Sequence, residues 1–280
     1  MKKGIGLLLC TPHVEERHLP MLAAFAEMGY DGVEIPVTGG DAAHYRWLGD
    51  EVRKLGLECT AVGFLTAEED PASADPAVRA RAVARVGELA ERAAILGADI
   101  LAGPIHEAYA HFPGPITPEE LARAADSLAA GADRAAPHGV SLMIEPLNRF
   151  ESRLANTIEQ AAALVESATR SNLGVVFDTH HAHLEADDLC ASVAAVGSHI
   201  GHVQLSENHR GVPGSGQINF QEVCASLKVE NFDGWLVIEA FSRIDPELGY
   251  LLHVWRDLAA DWQRVGKEGL RVIEEAWGSA

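Results

Sequence analysis

A chain of 280 residues, 48% of them hydrophobic, is long enough for one large domain, because single barrel domains reach roughly 250 residues. The 41 acidic residues against 22 basic ones give a formal net charge of −19, which repels phosphate backbones and anionic membrane surfaces. The charge therefore predicts no nucleic-acid partner. No run approaches the roughly 20 apolar residues that cross a bilayer, so we expect no membrane partner either. A small polar molecule is the expected ligand.

The chain begins with two lysines and the seven-residue run GIGLLLC, residues 4–10, which faintly resembles a signal peptide that ends in a lipidated cysteine. Seven residues lie at the lower limit of a signal h-region, and a predicted helix follows directly, so a first β-strand is favoured over a targeting segment. The four cysteines form no CxxC pair. They predict reduced thiols in a cytoplasmic protein.

From there, short apolar runs alternate with longer segments of helical period, a pattern typical of parallel strands joined by crossover helices. The eight predicted strands are residues 4–10, 32–37, 57–64, 100–106, 141–147, 173–179, 200–206 and 234–241. The helices between them include residues 18–28, 42–55, 76–96 and 118–136. Thr117 followed by Pro118 and two glutamates predicts a helix start, and glycines such as Gly97 predict helix ends.

This order predicts an α/β fold, a single (β/α)8 TIM barrel over about residues 4–247, followed by a helical segment over about 248–277. An open doubly wound sheet would have the same alternation. It is disfavoured because no GxGxxG motif follows the first strand and no GxxxxGK[ST] motif occurs in the sequence.

Four polar residues end the later strands: Glu145 in MIEPLNRFE, Asp178 in VVFDTHH, Gln204 in GHVQLSEN and Glu239 in LVIEAF. In a barrel these strand ends meet at one mouth. Buried carboxylates that converge repel one another unless a cation neutralises them, so we expect a divalent metal there. An all-oxygen set favours Mn²⁺, with Mg²⁺ or Co²⁺ as alternatives. The alternative is that these residues are unrelated polar strand ends.

Further polar residues follow the same strands, as a sugar-like ligand with many hydroxyl groups requires. They are Asn148, Arg149, Glu151, His180, His181, Glu207, His209 and Arg210. Composition alone does not decide whether His180 or His181 faces the ligand.

These motifs resemble the xylose isomerase-like barrels, and among them the ketose 3-epimerases of the tagatose and psicose type. The strongest matches are EPLNRFE from Glu145, DTHH from Asp178 and HVQLSENHRGVPGSG from His202. A weaker match is GPIH, which ends at His106.

The resemblance implies that Glu145 and Glu239 are metal ligands and also the two acid/base groups, while Asp178 and residue 204 complete the metal site. It implies that Glu151, His181 and Arg210 bind substrate oxygens, and we add His106 to this substrate set. The implied reaction inverts C3 of a free ketose through a cis-enediolate, with one carboxylate on each face of the carbon.

Residue 204 departs from the epimerase pattern, which has histidine there. Glutamine at this place resembles the hydroxypyruvate isomerases, so isomerisation of a hydroxy-keto acid, or of a related keto sugar or inosose, remains an alternative. An apurinic endonuclease shares the barrel, but the charge of −19 disfavours it. A non-catalytic barrel that retains the motifs is a further alternative.

The predicted C-terminal segment carries four aromatic residues, Tyr250, Trp255, Trp262 and Trp277. They pack the last helix onto the barrel or form a subunit interface, where aromatic residues are enriched. We expect a homodimer or homotetramer.

Overall fold

Eight short strands alternate with helices along the computed structural model, which describes residues 1–279. The strands are β1 (Lys2–Gly6), β2 (Gly32–Pro36), β3 (Glu58–Val62), β4 (Ile100–Gly103), β5 (Ser141–Ile144), β6 (Leu173–Asp178), β7 (Ile200–Ser206) and β8 (Trp235–Glu239). The α-helices are α1 (Leu19–Met28), α2 (Ala42–Lys54), α3 (Pro76–Leu96), α4 (Pro118–Ala135), α5 (Ile158–Ala168), α6 (Thr179–Glu185), α7 (Leu189–Val196), α8 (Phe220–Val229), α9 (Pro246–Leu251) and α10 (Trp262–Ser279).

The strands close into one parallel barrel. Each pairs with its neighbours in sequence, and β1 also pairs with β8. The predicted single (β/α)8 barrel is therefore confirmed. Because all strands run in one direction, their carboxyl ends form a single rim, and Asp178 and Gln204 are direct register partners there.

Helix ends follow the capping signals in the sequence. Thr117 accepts a hydrogen bond from the Glu120 N–H, and the Glu120 side chain accepts one from the Thr117 N–H, so a capping box begins α4 as expected. Gly97 ends α3 with a φ of 102°, a left-handed conformation that favours glycine. These caps fix the helices that pack their apolar faces on the barrel.

Several strands end earlier than their apolar runs predict. β1 stops at Gly6, and Leu7–Leu9 forms a 3-10 helix. β4 stops at Gly103 rather than at 106, because Gly103 turns the chain at a φ of 120°. A Cβ at Gly103 would lie 2.2 Å from the carbonyl oxygen of Gly63, so only glycine fits this turn. Ile105, beyond the strand, is still buried, which explains why hydrophobicity does not mark where the strand ends.

The predicted C-terminal segment divides into α9, an irregular stretch over 252–261, and α10. α10 packs between α8 and α1, so it is the last helix of the outer layer rather than an addition to the barrel. All four cysteines are free thiols. Within residues 1–279, no helix combines the length and the apolar character needed to cross a membrane.

Candidate metal centre and active-site cavity

The four residues predicted as metal ligands lie on consecutive strands at the carboxyl rim. Asp178 and Glu239 end β6 and β8, Gln204 lies within β7, and Glu145 directly follows β5. All four are buried. The ligand oxygens of Glu145 and Asp178 lie within 4.8 Å of each other and of a ring nitrogen of His181, a spacing that suits one metal ion.

Asp178 uses one carboxylate oxygen to begin α6. Its Oδ1 accepts the backbone N–H groups of His180 and His181 at 2.6 and 3.0 Å. Its Oδ2 is buried and has no hydrogen-bond partner among residues 1–279. One oxygen is therefore fixed by the helix, and the other is left for a ligand.

Gln204 has the same asymmetry. Its Nε2 donates to Glu34 Oε1 at 2.9 Å, whereas its buried Oε1 has no donor in the described part of the chain. A buried acceptor without a donor is costly, and native structures contain few of them. Two such oxygens on the register partners Asp178 and Gln204 fit a hard divalent cation.

The carboxyl groups of this cluster resist ionisation. Burial raises the pKa of Glu145 well above its ordinary value, and the charges of Glu239 and Asp178 raise it further. Burial also raises the pKa of Glu239 and of Asp178, against the opposing charge of Arg210. Since a divalent cation would stabilise the ionised forms, this conflict is a second physical indication of a cation site.

Arg210 is the cation that faces the carboxylates. Its Nη1 donates to Glu239 Oε2, its Nη2 contacts His181 Nε2, and its guanidinium lies 4.5 Å from the ring centre of Phe241. The backbone of Arg210 is left-handed, with a φ of 56°, and its carbonyl oxygen accepts the N–H of Phe241 at 2.8 Å. The buried side chain is thus held between β8 and the loop after β7.

His181 and His180 have different environments. Asn148 donates its backbone N–H to His181 Nδ1 at 2.9 Å, and burial lowers the pKa of His181 well below its ordinary value. Its Nε2 lies 3.5 Å from Glu145 Oε1, on the side of the ring that faces Arg210. His180 instead turns its Nδ1 to two backbone carbonyls at 3.1 and 3.2 Å, and burial lowers its pKa to about 2.

A cavity of about 100 Å³ opens beside these groups. Its polar lining consists mainly of Glu145, Glu151, His181, Arg210 and Glu239. Its apolar lining includes Leu8, Phe64, Leu147, Phe241, Leu248 and Leu252, together with Tyr109. The structure thus brings five of the predicted residues to one cavity and places His181 rather than His180 on it.

His106 lies apart from that cavity. It is fully buried, and its Nε2 is 3.1 Å from Glu107 Oε1. Glu107 in turn accepts hydrogen bonds from the Ser152 hydroxyl and from the backbone N–H groups of Arg153 and Leu154, both at 3.1 Å. The structure therefore places His106 with a carboxylate that anchors the loop carrying Glu151, not with the residues that face the cavity.

Sequence reasoning missed Glu34, whose carboxylate is buried inside the barrel. Its Oε2 lies 2.7 Å from His202 Nε2 and accepts the Thr60 hydroxyl at 3.1 Å. The signal was present, because Glu34 is a carboxylate within the apolar strand GVEIP. Its position does not mark it as a rim residue, because it lies in the middle of β2 rather than at a strand end.

Comparisons with known proteins agree with this geometry. A family model described as "Xylose isomerase-like TIM barrel" matches residues 22–274. An L-ribulose 3-epimerase from Methylomonas sp. is 31% identical over 91% of this chain and 90% of its own length. A ketose 3-epimerase from Arthrobacter globiformis is 30% identical over 98% of this chain and 96% of its own.

Solved structures agree as well. The crystal structure of a D-allulose 3-epimerase from Methylomonas sp. in complex with D-allulose has a TM-score of 0.92 at 29% identity, covering 99% of this chain and 97% of its own. The predicted resemblance, to the barrel and to ketose 3-epimerases, is confirmed by these matches.

Proposed function

The chain belongs to the xylose isomerase-like TIM barrel family, and we propose that it is a divalent-metal-dependent enzyme that epimerises a free ketose at C3. The observation that carries this proposal is that two buried carboxyl groups with raised pKa values, Glu145 and Glu239, line one cavity beside unpartnered oxygens of Asp178 and Gln204. The similarity to ketose 3-epimerases supports the same reaction.

In this proposal Glu145, Asp178, Gln204 and Glu239 hold the cation. Three carboxylates and an amide oxygen form a hard ligand set, which favours Mn²⁺ over softer metals, with Mg²⁺ or Co²⁺ as alternatives. When bound, the metal supplies Lewis acidity that polarises the ketone and makes the neighbouring C–H more acidic.

Glu145 and Glu239 exchange the proton at C3. One carboxylate removes the proton, the electron pair enters the enediolate, and the other carboxyl group returns a proton to the opposite face of the carbon. Both carboxyl groups line the cavity, so each can reach a bound sugar.

The remaining polar lining binds substrate oxygens. Arg210 presents donors, His181 presents its imidazole edge, and Glu151 presents an acceptor held by Asn148 Nδ2 at 2.8 Å. The apolar wall opposite them fits the carbon backbone of a small sugar. Arg210, the one Lys or Arg among the described lining residues, already pairs with Glu239, which supports an unphosphorylated substrate.

The second candidate is an isomerase of a hydroxy-keto acid, or of a related keto sugar or inosose. Gln204 favours it, because its amide stands where the 3-epimerase pattern has histidine. Both reactions pass through an enediol and would use the same two carboxylates.

The test is proton NMR in D₂O with Mn²⁺ and, separately, fructose, tagatose, psicose, hydroxypyruvate and 2-keto-inositol. We expect deuterium at C3 of a ketose and growth of its C3 epimer. We expect E239Q to lose this exchange. Conversion of hydroxypyruvate alone would favour the second candidate, and exchange that persists unchanged in E239Q would contradict the role of Glu239.

We also propose a cytoplasmic homo-oligomer. The free thiols support a reducing compartment. Tyr250 and Trp255, 72% and 66% exposed and in edge-to-face contact, support a subunit interface near α9. Sedimentation would distinguish the expected dimer or tetramer from a monomer.

A further inference from the structure

A buried polar network joins β2 to β7 through the interior of the barrel. Glu34 on β2 accepts Gln204 Nε2 on one carboxylate oxygen, at 2.9 Å, and the Thr60 hydroxyl on the other, at 3.1 Å. His202 Nε2 lies 2.7 Å from that second oxygen. All four side chains are at most 2% exposed. A carboxylate at this depth contacts a proposed metal ligand without lining the substrate cavity.

We infer that Glu34 is a positioning residue that orients the amide of Gln204 so that its oxygen, not its nitrogen, faces the metal. The two ends of a glutamine amide are nearly equal in size, so only hydrogen bonding decides which end points where. An ionised carboxylate only accepts hydrogen bonds, so the NH₂ end must turn towards Glu34. The Oε1 end is then left without a donor among residues 1–279.

Glu34 is itself held in place. Thr60 on β3 donates its hydroxyl to the carboxylate oxygen that does not meet Gln204, and His202 on β7 packs its Nε2 against the same oxygen. Outer groups that fix a ligand in this way typically contribute 10- to 100-fold to metal affinity. The inference rests on the metal site of the proposed function and adds a residue that the ligand set alone does not include.

Glu34→Gln tests the orientation. When its carbonyl oxygen keeps the hydrogen bond from Thr60 and the contact with His202, the new side chain turns an NH₂ group towards Gln204. The Gln204 amide must then rotate to offer its oxygen to that NH₂ group, and its own NH₂ end faces the metal. We expect the Kd for Mn²⁺, measured by isothermal titration calorimetry on the metal-stripped protein, to rise by about 10- to 100-fold.

A double-mutant cycle separates positioning from charge. Gln204→Met removes both ends of the amide at similar size, and a thioether is a poor ligand for Mn²⁺. If Glu34 acts through Gln204, E34Q costs less than about 3-fold in affinity in the Q204M background. If Glu34 acts only by its negative charge, E34Q costs the same factor in both backgrounds, and the inference is wrong.

Two further variants serve as controls. Glu34→Asp keeps the charge but shortens the reach, so positioning predicts a loss of at least about 10-fold and a pure charge effect predicts none. Glu107→Gln, another buried carboxylate but one bonded to the 152–154 loop, should leave Mn²⁺ affinity unchanged. Circular dichroism of each metal-free variant establishes that it is folded.

The outcomes separate the two proposals. A wild-type protein that binds none of Mn²⁺, Mg²⁺ and Co²⁺ would overturn the metal site and the proposed function together. Normal Mn²⁺ binding by wild type with unchanged affinity in E34Q or E34D would overturn the inference alone.

Discussion

Glu107→Gln should destabilise the protein through the loop that carries Glu151. Glu107 Oε2 accepts the backbone N–H groups of Arg153 and Leu154, and Oε1 accepts the Ser152 hydroxyl. Glutamine keeps one acceptor for the two N–H groups, and its NH₂ can donate to the Ser152 hydroxyl. The change therefore replaces two charge-assisted backbone bonds by neutral ones, each weaker by about 1 kcal/mol.

The expected loss is about 2 kcal/mol of unfolding free energy, which lowers Tm by about 4 °C for a chain of this length. Thermal unfolding followed by circular dichroism in EDTA measures it. Because Ser152→Ala removes only the hydroxyl contact, it is the matched control and should lower Tm by less. A loss in E107Q no larger than in S152A would refute the reasoning.

The difference in Tm between wild type and E107Q should decrease at low pH. Burial alone would raise the pKa of Glu107, but the hydrogen bonds and charge of His106, with those of Ser152 and Leu154, lower it below the ordinary 4.5. A lowered carboxyl pKa stabilises the fold above the pKa of the unfolded chain, and this contribution disappears as pH falls through the native value. The Tm gap between wild type and E107Q should therefore be full at pH 7 and narrow below about pH 4.5.

Two further predictions concern metal removal and the thiols. Between pH 5.5 and 8, the slope of Tm against pH should be more negative in EDTA than in Mn²⁺, because the raised pKa values of Glu145, Asp178 and Glu239 make the metal-free native state retain protons that the unfolded state has released. The lowered pKa values of His180 and His181 act in the opposite direction in both buffers, so the comparison between buffers is the test. Equal slopes would contradict the cation site. Iodoacetamide at pH 8 should label the native protein at Cys190 at most, because burial raises the pKa of Cys10, Cys59 and Cys224 to about 12. Peptide mass spectrometry identifies the labelled thiols. Modification of Cys59 in the folded protein would show that the barrel opens locally.

The fold was predictable because its signals are local and repeated. Eight apolar runs separated by helical segments leave few topologies, and capping residues such as Thr117 mark the helix starts. Strand ends were less predictable, because Leu7, in a 3-10 helix, and Ile105, after β4, are buried although neither lies in a strand. Both residues are hydrophobic because they are buried, so hydrophobicity does not mark the strand end. After β4, Gly103, with its positive φ, marks the turn.

The site was predictable where chain order implies proximity. Parallel strands carry their last residues to one rim, so Glu145, Asp178 and Glu239 follow from the barrel itself. The environment of His106 did not follow, because the loop after β4 turns it towards Glu107 instead of the cavity. Sequence also left His180 and His181 equivalent, since their directions depend on how α6 begins at Asp178.

The proposed ligands fall into two structural pairs. Asp178 Oδ1 accepts a hydrogen bond at the start of α6, and Gln204 Nε2 donates one to Glu34. The other end of each side chain is a buried oxygen without a donor among residues 1–279. Glu145 and Glu239 instead contact His181 and Arg210, side chains that line the cavity. This difference supports a division of roles in which the fixed pair holds the cation, while the pair in contact with cavity groups also exchanges protons with the substrate.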